Sequence, residues 1–345
     1  MKHLPLLFLP LLILTACDNE FSPNAEWKEV PSVYCLLDQD DDTTFVRVQK
    51  CYLGEGNLYA YAQVFDSTNY PQGSIAVKLK AWRNFNELNN PTCSPLFTLD
   101  FNYTETDKVP GSFGGTKQPI YYHVNQDGEL NPDYCYQLVV TKQPSGEVLT
   151  SATTILIGNE DPDKGWLINP FPATGANAAA KTFNLLTGKC DIKWRPMPNG
   201  RLYQPCVRFY YRYRYAPEQL RYLDIECPNI KSVQGALDLT TEMEKNHYLN
   251  EIAKALNGDT NHKKFVDTVG IRLYVCNEDL NAYINTTTGA ISTDQNRTIY
   301  SNIPGGVGIF GARRTHLFEK VLADNGTTPQ GMHTLLENLL VGFEP

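Results

Sequence analysis

Apolar and polar residues take strict turns along several stretches of this chain, and that period of two decides what it can become. In SIAVKLKAW, Ile75, Val77, Leu79 and Ala81 share one face while Lys78 and Lys80 take the other. TFVRVQKCYL sets Val46 and Val48 against Arg47 and Gln49, and DYCYQLVVT supplies a further strand around Leu138 and Val140. Successive side chains of an extended chain point to opposite sides, so each segment reads as a strand with one buried face. The pattern returns late, with Cys190, Ile192 and Trp194 opposing Asp191, Lys193 and Arg195, and with Val269, Ile271, Leu273 and Val275 aligned in TVGIRLYVC. Plentiful Tyr (20) and Phe (15) against scarce Met (4) favour the same pleated surfaces.

The expected fold is therefore mainly β. Turn clusters at Asp38–Asp42, Phe85–Pro91 and Asn125–Asp133 space the early strands as in an immunoglobulin-like β-sandwich over residues 28–157. Gly, Pro and charge concentrate in residues 158–172, which reads as a linker. Residues 173–345 then form a second β-rich domain with inserted and C-terminal helices, and 345 residues suffice for two cores. For the inserted helix, Thr241 and Glu244 read as a capping box, Leu249, Ile252 and Leu256 as a helical stripe, and Gly258 as the residue after its end. A short helix from Met332 to Leu340, following Pro329, closes the chain.

The N-terminus bears on compartment. Lys2 and His3 precede an apolar run from Leu4 to Leu14 that carries Pro5 and Pro10 and is too short to span a bilayer comfortably, so residues 1–16 read as a signal peptide. Leu14-Thr15-Ala16-Cys17 looks like a lipobox, in which the Cys17 thiol takes a diacylglyceryl group before cleavage. Two or three acyl chains such as palmitate would hold the protein stably on a membrane, where one would not. Residues 17–27 are a polar tether with Asp18 and Glu20 near the anchor. Eight further cysteines remain, an even number that permits disulfides in an exported chain without choosing among about 105 pairings. They form no CxxC and no Cys/His cluster, so no metal is expected.

One motif needs separate treatment. In PGGVGIFGARR, Gly306, Gly308 and Gly311 fall at the G-x-G-x-x-G spacing of dinucleotide-binding loops. Such a loop needs a buried strand running straight into the first glycine, and Asn302 and Pro304 interrupt any such run. The segment reads instead as a turn followed by a late strand of the second domain, its glycines serving positive φ or close backbone approach. No cofactor is expected.

Candidate chemistry is sparse. A formal net charge of -8 gives no nucleic-acid footprint. The acidic run Asp38, Asp40, Asp41 and Asp42 raises calcium but lacks the glycine and distal glutamate of an EF-hand loop, so a solvated hairpin turn is expected. In RFYYRYRY, Arg208, Tyr210, Arg212 and Arg214 line up against Phe209, Tyr211, Tyr213 and Tyr215. The first four are the candidate ligand or partner face, suited to a glycan or an acidic ligand by stacking and bidentate hydrogen bonding, or else to tiling a sheet with cation–π pairs. Trp82 is a weaker candidate of the same kind. With no G-x-S-x-G elbow, no H-E-x-x-H helix, and His123, His247, His262, His316 and His333 scattered, a binding role is expected ahead of a hydrolase.

Two segments carry a resemblance: SVYCLLDQDDDTTFVRVQKCYLGEGNLYAYAQVFDSTNY, from Ser32 to Tyr70, and IYSNIPGGVGIFGARR, from Ile299 to Arg314. With the lipobox, they resemble a family of Bacteroidota outer-membrane lipoproteins designated domain of unknown function, number four-two-four-nine, with residues 181–256 matching more loosely. The resemblance implies an immunoglobulin-like N-terminal strand set, lipid anchoring in the outer membrane, and a non-enzymatic binding or accessory role beside a TonB-dependent receptor, while Asp18 and Glu20 resemble the acidic export signals that turn such lipoproteins toward the cell exterior. A glycan or peptide is the ligand expected, a structural or adhesive surface lipoprotein is the alternative, and no catalytic residue carries over.

Overall fold

The computed structural model describes residues 30–51, 57–109, 111, 113–163, 165–170, 183, 185, 188–233, 235–257, 259, 261–287, 300–321, 336 and 342–343. The expected signal peptide, Cys17, the tether, Gly258, His333 and, apart from Leu336, the C-terminal helix lie outside the described residues. The fold is mainly β, with 50% strand and 13% helix.

The first part comprises β1 (Val30–Leu37), β2 (Thr43–Cys51), β3 (Ile75–Trp82), β4 (Phe97–Asp100), β5 (Asn102–Asp107), β6 (Lys117–Val124), β7 (Cys135–Lys142) and β8 (Val148–Ile155), with short helices α1 (Leu58–Ala62), α2 (Phe65–Thr68) and α3 (Phe85–Leu88) between them. The second part adds β9 (Leu167–Asn169), β10 (Lys189–Trp194), β11 (Leu202–Tyr213), β12 (Ala216–Glu226), β13 (Ile230–Lys231), β14 (Leu239–Glu244), α4 (Lys245–Ala255), β15 (Lys264–Cys276), α5 (Glu278–Thr287) and β16 (Val307–Val321).

Among the described residues these strands make three sheets. A nine-stranded sheet runs β12-β11-β15-β16-β1-β2-β6-β5 with β13 beside β11; a four-stranded sheet runs β4-β3-β7-β8, and a three-stranded one β14-β10-β9. The four-stranded sheet closes a sandwich over the β1-β2 end of the large sheet, and the expected alternation is what fills it: Val33, Val46, Val48, Leu79, Leu138 and Val140 are all at most 1% exposed. The Tyr136 hydroxyl donates to the Glu129 carbonyl (2.9 Å) and accepts from the Asn131 N–H (2.6 Å), tying the start of β7 to the turn before it, as corner tyrosines do in sandwiches. A second core lies where β10 and β14 and the Tyr248–Ile252 face of α4 cover the inner side of β11 and β15; Trp194, Phe209, Ile271 and Leu273 are fully buried there. Each such side chain contributes about 1.5–3 kcal/mol by leaving water.

Three expectations are corrected. Residues 158–172 are not a bare linker: they hold β9, and Trp166 and Leu167 enter the second core at 3% exposure, because Gly and Pro punctuate short strands as readily as they mark linkers. Thr241 and Glu244 form no capping box, since both lie in β14, paired with Ile192 and Lys189. Thr241 is buried with its hydroxyl donating to the Pro228 carbonyl, α4 starts only at Lys245 without a side-chain cap, and Asn257 (φ 46°) takes the left-handed position after its end. Finally, β16 is not a strand of the second part alone. Its first half pairs in parallel with β1 and buries Phe310 and Ala312 in the first core, while its second half pairs with β15 and packs Phe318 on the second.

The glycine-spaced motif opens this strand, with no helix following it. Gly308 has φ +118°, and a Cβ there would lie 2.0 Å from the Val33 carbonyl oxygen. Close backbone approach, not phosphate binding, explains the glycine.

Candidate binding face

The two faces of β11 separate as the sequence implies. Val207, Phe209 and Tyr211 point into the second core, while Arg208, Tyr210 and Arg212 follow one another along the outer side of the large sheet. Arg214 falls beyond the strand end, in the turn to β12, its N–H bonded to the Lys263 carbonyl. Opposite residues of an antiparallel pair share a face, and this register supplies partners that β11 alone does not reveal. Arg208 faces Asp224 and Tyr210 faces Tyr222 on β12, and Arg272 stands opposite Cys206 on β15.

The resulting ladder is closely bonded. Arg208 grips Asp224 with two parallel hydrogen bonds, Nε to Oδ1 at 2.7 Å and Nη2 to Oδ2 at 2.8 Å, and Arg272 Nη1 donates to the same Oδ2 at 3.2 Å. The Arg208 guanidinium lies 3.8 Å from the centre of the Tyr222 ring, the Arg272 guanidinium 4.5 Å from that of Tyr274, and Tyr210 meets Tyr222 edge-on at 6.2 Å. Burial opposes the charge on Asp224, but the hydrogen bonds from Arg208 outweigh it and hold the carboxyl below its ordinary range. Arg212 is likewise spoken for, by Asp267 at 2.7 Å and the Pro217 carbonyl at 2.8 Å. Arg208 and Arg272 thus share Asp224 and Arg212 pairs with Asp267, so each of these guanidiniums already has a carboxylate partner. Trp82 offers no stacking surface either: it is 7% exposed at the end of β3, beside Cys135.

Next to the ladder α5 lies across the outer face, and the chain is shaped for it. Asn277, 1% exposed, accepts from the Leu280 N–H at 3.1 Å and so caps the helix; its amide donates to the Thr154 hydroxyl at 2.8 Å and anchors the helix start to β8. Gly311 leaves the room beneath, since a Cβ there would stand 3.3 Å from both Asn277 Oδ1 and Leu280 Cβ. Between α5 and β12 runs a groove of about 480 Å³. Two cross-strand rows floor it, Leu202–Cys276–Arg313 and Gln204–Tyr274–Thr315. Leu280 and Ile284 line it from the helix, with Glu226 and Asn229 at its far lip. Sequence reasoning passed over this groove, although Asn277 before Glu278 and Asp279 is a helix-start signature that marks α5.

The acidic turn between β1 and β2 finds its countercharge in β16. Arg314 Nε pairs with Asp40 at 2.8 Å and Arg313 Nη2 with Asp41 at 3.1 Å, so arginines answer these carboxylates. Asp38 is not solvated as expected: it is 4% exposed, accepts from the Asp40 N–H at 3.1 Å, and burial pushes its carboxyl up to about 6. A folded value above the unfolded one gives a contribution fully present below the unfolded pKa and lost as pH rises through about 6. Asp38→Asn keeps the acceptor and removes the charge. Its melting temperature, relative to wild type, is therefore expected to rise between about pH 4 and pH 7.5, and a parallel pH dependence of the two proteins would refute the assignment.

The described cysteines and histidines lie apart from the groove or are held by neighbours, with Cys276 alone of them in its floor. All eight described cysteines are free thiols, and burial raises Cys206 to about 12 and Cys276 to about 11. His123 bonds Glu129 at 2.9 Å, His262 bonds Asp259 at 3.0 Å, His247 bonds the Glu226 carbonyl at 2.9 Å, and His316 packs against Trp166 with its ring depressed by burial to about 4. No family model matches the chain, and no curated protein matches it.

Proposed function

We propose that this chain is a lipid-anchored, non-enzymatic binding or accessory protein of the outer membrane, held by Cys17 facing the cell exterior and working beside a TonB-dependent transporter. The observation that carries the binding role is the outer side of the nine-stranded sheet, which presents the rings of Tyr222 (53% exposed) and Phe45 (49%) to solvent and, apart from them, holds an open groove. Outward aromatic rings on a rigid sheet are what recognition surfaces use. The buried thiols of Cys206 and Cys276 and the dispersed histidines support binding over catalysis, because a nucleophile needs a base within hydrogen-bond reach. The lipobox and the two segments quoted above support the anchor and the transporter partner.

Two measurements test this. Growth with an alkyne analogue of palmitate should label the wild-type protein and leave Cys17→Ala unlabelled; an unlabelled wild type sinks the lipoprotein reading. Affinity capture of the tagged protein from detergent-solubilised native membranes should recover a TonB-dependent receptor in near-equal amount. Recovery of no receptor removes the accessory role and leaves a free-standing surface binder.

A further inference from the structure

We infer that the groove between α5 and β12 is a binding site for a neutral carbohydrate, with Tyr274 as its platform. The inference rests on the reading of the chain as a binding protein and is independent of any transporter.

Charge removes the first class of alternatives. Arg208 and Arg272 share Asp224, while Arg313 and Arg314 are paired with Asp41 and Asp40. Each of these guanidiniums already has a carboxylate partner, and Glu226, which lines the groove and has no ion-pair partner among the described residues, would oppose an anionic ligand. What the groove leaves open is hydrogen-bonding capacity. Among the described residues the side chains of Gln204, Glu226, Asn229 and Thr315 have no hydrogen-bonding partner in the protein, and all four line the groove. Two amides, a carboxylate and a hydroxyl together both donate and accept.

Besides these polar groups and the paired Arg313 and Arg314, the lining is apolar: Leu36, Leu202, Leu280 and Ile284 share the groove with Tyr274, whose ring centre lies 4.5 Å from the Arg272 guanidinium. A ligand that satisfies this wall needs an apolar face and, around it, hydroxyls that donate and accept in turn. A pyranose is that shape. The groove crosses β12, β11, β15 and β16, three strand intervals or about 14 Å, which admits a di- or trisaccharide, and its volume of about 480 Å³ lies in the range of small-ligand sites.

The test uses the full acylated protein in a detergent without a sugar headgroup, titrated with maltotriose, chitotriose and mannotriose as neutral probes and with trigalacturonate and trialanine as controls. Saturable binding of at least one neutral trisaccharide is expected, weakened about tenfold or more in Tyr274→Leu and in Gln204→Leu. Asn229→Ala, at the exposed lip, gives a second reading that does not touch the ladder, with a smaller loss expected. Absence of saturation with every neutral probe, preference for trigalacturonate or trialanine, or equal binding by all three variants overturns the proposal. Receptor capture run on the same variants separates the two readings: capture without sugar binding sinks this site alone, and sugar binding without capture sinks the transporter partner alone.

Discussion

Gly308→Ala is expected to unfold the N-terminal sandwich at temperatures the wild type survives. The residue sits at φ +118°, outside the range an alanine adopts comfortably, and its new Cβ would stand 2.0 Å from the Val33 carbonyl oxygen and 2.9 Å from the carbonyl carbon. Neither obstacle is a movable side-chain tip; both are backbone of the strand that β16 pairs with in parallel. Strain of about 1–3 kcal/mol for the dihedral and a similar amount for overpacking sum to about 2–6 kcal/mol, a large fraction of a domain's stability. Gly311→Ala is the internal comparison: its Cβ would meet Asn277 Oδ1 and Leu280 Cβ at 3.3 Å, contacts that a small shift of α5 relieves. Denaturant midpoints should therefore order wild type above Gly311→Ala and Gly311→Ala well above Gly308→Ala. A Gly308→Ala midpoint equal to the wild type's would mean that β1 and β16 do not pair as described.

Asp224→Ala is expected to cost about 3 kcal/mol. One carboxylate serves two guanidiniums, and the Arg208 side chain is only 8% exposed, so removing Asp224 leaves a cation with little water and no counterion. Asp267→Ala breaks a pair whose side chains are 30% and 32% exposed, and about 1 kcal/mol or less is expected there. The sign of the pH dependence follows from the depressed carboxyl: its stabilisation is present above the unfolded pKa of about 4 and is lost as pH falls below it. Chemical denaturation of both variants at neutral and acid pH checks the order and the sign. Equal losses for the two variants would show that burial does not set the strength of the Arg208 pair.

What the sequence could reveal tracks the range of the physics. Strands β2, β3, β7, β10 and β15 announced themselves because alternation is written within eight or so residues and burial of one face enforces it. β14 was misread because Thr-x-x-Glu serves a helix start and a strand equally well, and only pairing with β10 decides. β9 hid among Gly and Pro. Of the candidate face, the outward set Arg208, Tyr210 and Arg212 was legible, but Asp224, Arg272 and Tyr274 were not, since their meeting with β11 depends on strands 16 to 70 residues away finding one register. The arginines' counterions are likewise invisible along β11 itself, since Asp224 and Asp267 lie on other strands.

The course of β16 has a consequence in time. β1 comprises residues 30–37 and its parallel neighbour residues 307–321, so the ladder between them closes a loop of nearly the whole chain. During synthesis the other strands of the first sandwich emerge early, yet β1 presents an unpaired edge until residues 307–321 appear. An open edge is a template for wrong partners, and contacts this distant in sequence form slowly. The first sandwich thus stays open at β1 until β16 arrives, and a chain cut short before β16 loses closure at both cores at once.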